Sequence, residues 1–164
     1  MYKKILLLLI IAGVQVSYAA NKFPDFRLKD LNNKFQSLSD LKGDKITIVD
    51  FWATWCKPCA RALPKLNMLH QKYADRGVSF IGVNVDSPRN SSKIKPFANS
   101  YKIKYPIVRD PNSSFSGEVN VSSFPTLLIV NSENKIVYTH QGYRSGDEKS
   151  IEKEILNLLK LQDR

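Results

Sequence analysis

Residues 46–53 are nearly unbroken in apolar, β-branched and aromatic side chains, and residues 78–86 place Val78, Phe80, Ile81, Val83 and Val85 among small and polar ones. Strands covered on both faces lack the usual alternation of apolar and polar positions, so 46–53 is predicted as a central parallel strand, with 78–86 as the second central strand. Between them Leu63, Leu66, Leu69 and Tyr73 recur at helical spacing. They predict a helix that runs to about Arg76 and is ended by Gly77. Upstream, Phe23-Pro24-Asp25-Phe26 reads as extended, and Asn32-Asn33 reads as the turn before residues 34–37. Residues 39–43 read as a single turn ended by glycine. Downstream, residues 90–101 are predicted as a helix interrupted or restarted at Pro96. Residues 105–108 follow as a short strand and 114–119 as a brief helix. Residues 126–130 and 136–140 form an antiparallel hairpin across 131–134. Ile151, Ile155, Leu158 and Leu159 mark one face of a C-terminal amphipathic helix. Strands alternating with helices, then a hairpin and a helix, imply an α/β fold: a central mixed sheet flanked by helices on both faces.

At 164 residues the chain is expected to form one domain, without internal repeats or a linker long enough to divide it. A composition of 43% hydrophobic and 24% charged residues is that of an ordinary globular protein, so disorder is excluded for the bulk of the chain. The net charge is +10, or +8 without Lys3 and Lys4. The lysines are interleaved with acids and form no dense block, so the charge reads as a solvated basic surface and not as a nucleic-acid site. Lys3 and Lys4 precede an apolar run at residues 5–16, and Ser17-Tyr18-Ala19 supplies small residues for a cut after Ala19. Residues 1–19 are therefore expected to be a signal peptide, with residues 20–164 the mature domain; an uncleaved anchor is the alternative. Either way the domain is expected outside the cytoplasm, in a periplasmic or other extracytoplasmic space. No cysteine follows the apolar run, which leaves a lipid anchor without an attachment point.

The two cysteines, Cys56 and Cys59, flank Lys57 and Pro58. They are too close to close a useful structural loop. A buried strand runs into the pair and a helix leaves it, which puts the first sulfur at a helix N-terminus, where the dipole and free N–H groups favour a thiolate. A C-x-x-C in a βα pattern points to dithiol–disulfide exchange. Structural zinc is disfavoured because His70 has no second histidine three to five residues beyond it. Ala60 excludes the C-x-x-C-H motif of covalent haem attachment. Asp50 stands in the otherwise apolar strand, six residues before Cys56. A carboxylate there costs free energy unless it is paired or protonated, and burial should raise its pKa. Pro64 falls inside the helix and should kink it. His70 and His140 are expected to finish core edges or face solvent. Three Asn-x-Ser sequons, at Asn90, Asn112 and Asn120, matter only in a host that glycosylates exported proteins.

The run Trp52-Ala53-Thr54-Trp55-Cys56-Lys57-Pro58-Cys59, followed by Pro64, resembles the thioredoxin superfamily. Leader, N-terminal β-hairpin and a central βα insertion at about residues 88–108 are similar to its exported TlpA/ResA-like branch. The resemblance covers about residues 23–160. It implies a thioredoxin-like fold, a protein disulfide or dithiol substrate, and no cofactor at the site. It also implies roles for individual residues. Cys56, the more exposed sulfur, is the nucleophile, with Lys57 lowering its pKa, and buried Cys59 resolves the mixed disulfide. Asp50 relays a proton to or from Cys59. Pro125 in Phe124-Pro125-Thr126 is a cis-proline facing the disulfide, and Phe124 offers backbone groups to a substrate strand. Trp52 packs behind the site, and Trp55 forms an apolar docking surface beside Cys56. The branch often carries a glutamate three residues after the second cysteine. This chain has Ala62 there, so the specialised cytochrome c maturation role does not transfer.

The expected direction is reduction of substrate disulfides, and the resemblance implies a membrane electron-transfer protein as reductant. Three other readings stay open at this point. The same residues serve a disulfide-forming oxidant. A peroxiredoxin-like peroxidase shares the opening at residues 26–41, although the chain lacks the proline of P-x-x-x-T-x-x-C. A non-catalytic binding or chaperone module would use the Trp55 and Phe124 surface.

Overall fold

The computed structural model describes residues 22–162. The expected signal peptide at 1–19 lies outside the described residues. The N-terminal hairpin pairs β1 (Arg27–Asp30) with β2 (Phe35–Ser37) in antiparallel register. Its turn is held by Asp30, whose Oδ1 accepts from the backbone N–H groups of Asn32 and Lys34. The short helix α1 (Leu38–Leu41) starts in a capping box between Ser37 and Asp40. Then follow β3 (Ile46–Trp52), α2 (Lys57–Tyr73) with a 3-10 turn over Ala74–Arg76, and β4 (Val78–Asn84). Gly77 ends the first βα unit at φ 79°, a left-handed conformation that favours glycine.

The central insertion is a 3-10 turn at Pro88–Asn90, α3 (Ser91–Ser100) and β5 (Ile107–Arg109). The chain ends with α4 (Ser114–Glu118), β6 (Thr126–Asn131), β7 (Ile136–Gln141) and α5 (Asp147–Gln162). The sheet order is β2-β1-β5-β4-β3-β6-β7. Strands β3, β4 and β5 run parallel, and β1, β6 and β7 join antiparallel. Every residue of β3 is buried, as the unbroken apolar run predicts for a central strand.

The sheet separates two cores. One packs Ile46, Ile48 and Trp52 of β3 against α2, α3 and α5, and it contains both cysteines. The other packs Val49 and Phe51 against α1, α4 and the extended N-terminal segment through Leu38, Phe115 and Phe23. The predicted elements are all present. Most boundaries shift by one to three residues, the strand expected at 105–108 starting only at Ile107, after Pro106; two further departures have a physical reason. The helix at Pro96 is neither interrupted nor restarted: α3 is continuous, because the proline is exposed and its missing N–H leaves only a solvent-facing carbonyl without an intrahelical partner. The second central strand stops at Asn84, two residues short of Asp86, because Asp86 N–H turns back to Asn84 Oδ1 at 3.1 Å.

Candidate functional site

Strand β3 delivers the chain to the sheet's edge, and Cys56 N–H donates to Ala53 O at 3.2 Å to form the bend that starts α2. Cys56 is the N-cap of α2, and its Sγ accepts from Cys59 N–H at 3.2 Å. The two sulfurs form a disulfide. Cys56 is 5% exposed and Cys59 is fully buried, so the first sulfur is the one within reach of solvent. Pro58 lies at the start of the helix, where its missing N–H has no intrahelical role. The first turn holds no acidic side chain, and Lys57 is exposed beside the pair. A sulfur released by reduction would face the positive end of α2 with no nearby carboxylate in that turn to oppose its charge. Helix α2 continues unbroken through Pro64.

Asp50 lies in the same core. It is 1% exposed, and neither carboxylate oxygen has a hydrogen-bond partner. The cross-strand register places it between Leu127 of β6 and Gly82 of β4. Burial pushes its pKa from 3.8 to about 7. The Tyr105 hydroxyl is a close electrostatic neighbour that opposes part of this rise, but it too is without a hydrogen bond, so the two groups are neighbours and not a bonded pair. Burial and the Asp50 charge push the Tyr105 phenol pKa well up. A cavity of about 10 Å³, room for about one water, adjoins Asp50 between Ala62, Pro125 and Gly142. A buried carboxyl group that titrates near neutrality, in the same core as the cysteine pair, can take up and release protons at working pH.

Trp52 is fully buried and stacks on Phe97 of α3 at 5.6 Å. Trp55 is 60% exposed and meets the Phe124 ring edge-on at 6.0 Å. The Phe124–Pro125 peptide bond is cis, and Pro125 is buried directly before β6. Trp55, Phe124 and the disulfide loop thus share one apolar patch. Both histidines border the site: His70 packs edge-on against Phe80 and Tyr105, and His140, which also lines the cavity beside Asp50, has Nε2 3.0 Å from Asp147 Oδ2.

Three residues that the sequence reading did not single out complete the site. Asp86 fixes the loop before Cys56: its carboxylate accepts from Thr54 N–H at 2.8 Å and from Thr54 Oγ1 at 2.7 Å. Tyr105 comes from the central insertion, and Gly82 makes room for it. A Cβ on Gly82 would lie 3.0 Å from Trp52 Nε1, 3.2 Å from Tyr105 Cε2 and 3.3 Å from Ile107 Cγ1. All three neighbours are packed ring or branched atoms in a buried layer. Gly82→Val should therefore lower unfolding stability by about 3 kcal/mol, read as a lower urea midpoint at unchanged slope. A midpoint equal to wild type would mean the layer has slack. A glycine inside a buried strand was the signal available in the sequence for this close approach.

The Redoxin family model matches residues 18–155. The chain belongs to the Redoxin family. Thioredoxin-like protein YneN of Bacillus subtilis is 36% identical over 83% of this chain and 77% of its own length. Thiol-disulfide oxidoreductase ResA of the same organism is 31% identical over 92% of this chain and 81% of its own. Among solved structures, a thioredoxin-like protein from Porphyromonas gingivalis superimposes with a TM-score of 0.70 at 35% identity, over 84% of this chain and 92% of that one. The sheet order, the Cys56–Cys59 pair and this kinship make the chain a thiol–disulfide oxidoreductase of the thioredoxin-like class.

Proposed function

We propose that this protein acts outside the cytoplasm and reduces disulfides of protein substrates with the Cys56/Cys59 dithiol. In the reduced protein the Cys56 thiolate attacks a substrate disulfide. A Cys56–substrate S–S bond forms, the substrate bond breaks, and the departing substrate sulfur takes a proton. Cys59 then gives its proton to the Asp50 carboxylate and attacks Cys56 Sγ. The internal disulfide forms, the second substrate sulfur leaves as a thiolate that takes a proton from solvent, and two electrons have passed to the substrate. Asp50 returns its proton to solvent through the narrow cavity beside Ala62 and Pro125. Lys57 and the helix N-terminus stabilise the Cys56 thiolate, and Pro58 limits the loop between the sulfurs.

The substrate chain lies across Trp55 and Phe124, pairing with backbone groups at Phe124 and Pro125, with Trp52 supporting the loop from behind. The observation that carries this reading is the disulfide at the start of α2, in a core that also holds an unpaired, buried carboxyl group. Export is supported by the basic, apolar and small-residue pattern of residues 1–19. Among the described residues no helix is long and apolar enough to cross a membrane. The electrons come from a membrane electron-transfer protein, because an extracytoplasmic dithiol is cut off from cytoplasmic reductants.

Direction is tested by the reduction potential of the Cys56–Cys59 pair, followed by tryptophan fluorescence in defined thiol–disulfide buffers. A value near that of thioredoxin, about −270 mV, is expected; one near the oxidant end, about −120 mV, would reverse the assignment and make the protein a disulfide-forming catalyst.

A further inference from the structure

The sheet register aligns one residue from each of five strands. Trp52, Asn84, Arg109, Lys29 and Phe35 are successive cross-strand partners. Paired residues project from the same face, so the row forms a continuous strip. It follows the carboxyl ends of β3, β4 and β5, the edge from which the chain enters the Cys56 loop. Ligands of open α/β sheets bind along that edge. At the far end of the row is a cavity of about 360 Å³, a volume usual for a ligand site, walled by Arg27, Lys29, Phe35, Arg109, Asp86 and Ser91.

Three cations face one carboxylate in this cavity. Lys29 and Arg109 are direct cross-strand partners, a like-charge pairing that costs stability. The Arg27 guanidinium lies 4.5 Å and the Lys29 ammonium 5.2 Å from the centre of the Phe35 ring, which is itself 48% exposed. Arg109 donates from Nη2 to Asn33 Oδ1 at 2.7 Å, but its Nε is buried without a partner. The Asp86 carboxylate is already engaged by Thr54 and by Asn84 Nδ2 at 2.8 Å. Among the described residues none of the three cations is in an ion pair. A fold that gathers cations against their own repulsion around an open aromatic ring is complementary to an anion from outside.

We infer that this cavity is a docking subsite for an acidic segment of the protein whose disulfide is exchanged at Cys56. Arg27, Lys29 and Arg109 receive its Asp or Glu carboxylates, and Phe35 receives an apolar side chain between them. The occupant is argued from charge and from position: the subsite shares the sheet edge with the disulfide, and Asp86 joins its wall to Thr54, two residues before Cys56. Charge complementarity of this kind selects partners and speeds encounter. The inference rests on the exchange activity proposed above.

The test uses two synthetic disulfide-bonded peptides, identical except that one carries Glu-Leu-Glu beside the disulfide and the other Gln-Leu-Gln. At low salt the reduced protein should act on the acidic peptide with kcat/KM about tenfold higher, and the preference should shrink as salt rises. The exposed double variant Arg27→Glu/Lys29→Glu should lose the preference while keeping the wild-type rate on the Gln peptide. In parallel, adding the acidic peptide to the oxidised protein should move the NMR signals of Phe35 and Arg109, and the double variant should lose those shifts. Reduction of both peptides at one rate, with Phe35 unmoved, overturns the docking subsite and leaves the exchange reading standing. Reduction of neither overturns the exchange reading and this inference with it. Movement of the same signals by anionic phospholipid vesicles, and not by the peptide, assigns the surface to a membrane and also overturns it.

Discussion

Cys59→Ser protein is expected to attack a disulfide once and stop. With Cys56 intact and the second sulfur gone, the mixed disulfide has no internal nucleophile to resolve it. A covalent complex with a protein substrate should accumulate and survive non-reducing electrophoresis, while turnover falls by roughly a thousandfold or more. Cys56→Ser should lose turnover to the same extent and trap nothing. The asymmetry follows from the placement of the two sulfurs: Cys56 caps α2 and is the one that solvent reaches, whereas Cys59 is fully buried one turn in. A complex trapped by Cys56→Ser and absent from Cys59→Ser would exchange the roles of the two cysteines. Turnover by Cys59→Ser within about tenfold of wild type would remove the internal resolving step altogether.

The two cysteines were legible because their chemistry is local. An apolar run, a C-x-x-C and a helical pattern lie within one short stretch of chain, and each constrains the next. The same is true of the central strand β3, which is covered on both faces, so its apolar run identifies it without reference to the rest of the chain. Asp50 was legible for the opposite reason, as the single charge in such a run. What the sequence does not carry is register. Gly82 matters because the sheet sets it opposite Asp50 and beneath Tyr105. The strip from Trp52 to Phe35 exists only because five strands align, and no local pattern connects Arg27, Lys29 and Arg109. The pattern of 78–86 places Asp86 at the end of a strand, and its hold on Thr54, 32 residues earlier, becomes visible only when β3 and β4 are paired.

The unpaired burial of Asp50 has a thermodynamic consequence that separates it from an ordinary core residue. Its pKa is about 7 in the folded protein and 3.8 at its ordinary value. Below pH 3.8 the group is protonated in both states and costs nothing extra. Between pH 3.8 and 7 the unfolded chain releases the proton while the folded protein holds it, so stability falls as pH rises. Above pH 7 the loss is complete, at about 4 kcal/mol. Asp50→Asn removes the ionisation and keeps the shape. In the oxidised protein, where neither cysteine titrates, the variant should match wild type near pH 4 and exceed it at pH 8 by about 4 kcal/mol, or about 12 °C in Tm. The same change should slow disulfide exchange at pH 7 by about a hundredfold and flatten its pH profile, because no group remains to take the Cys59 proton. The two effects have opposite signs, more stability and less activity, and a merely structural carboxylate would not produce both. If Asp50→Asn were destabilised at pH 8, Asp50 would have a favourable partner in the folded protein, and its proposed part in the proton transfer would have to be given up.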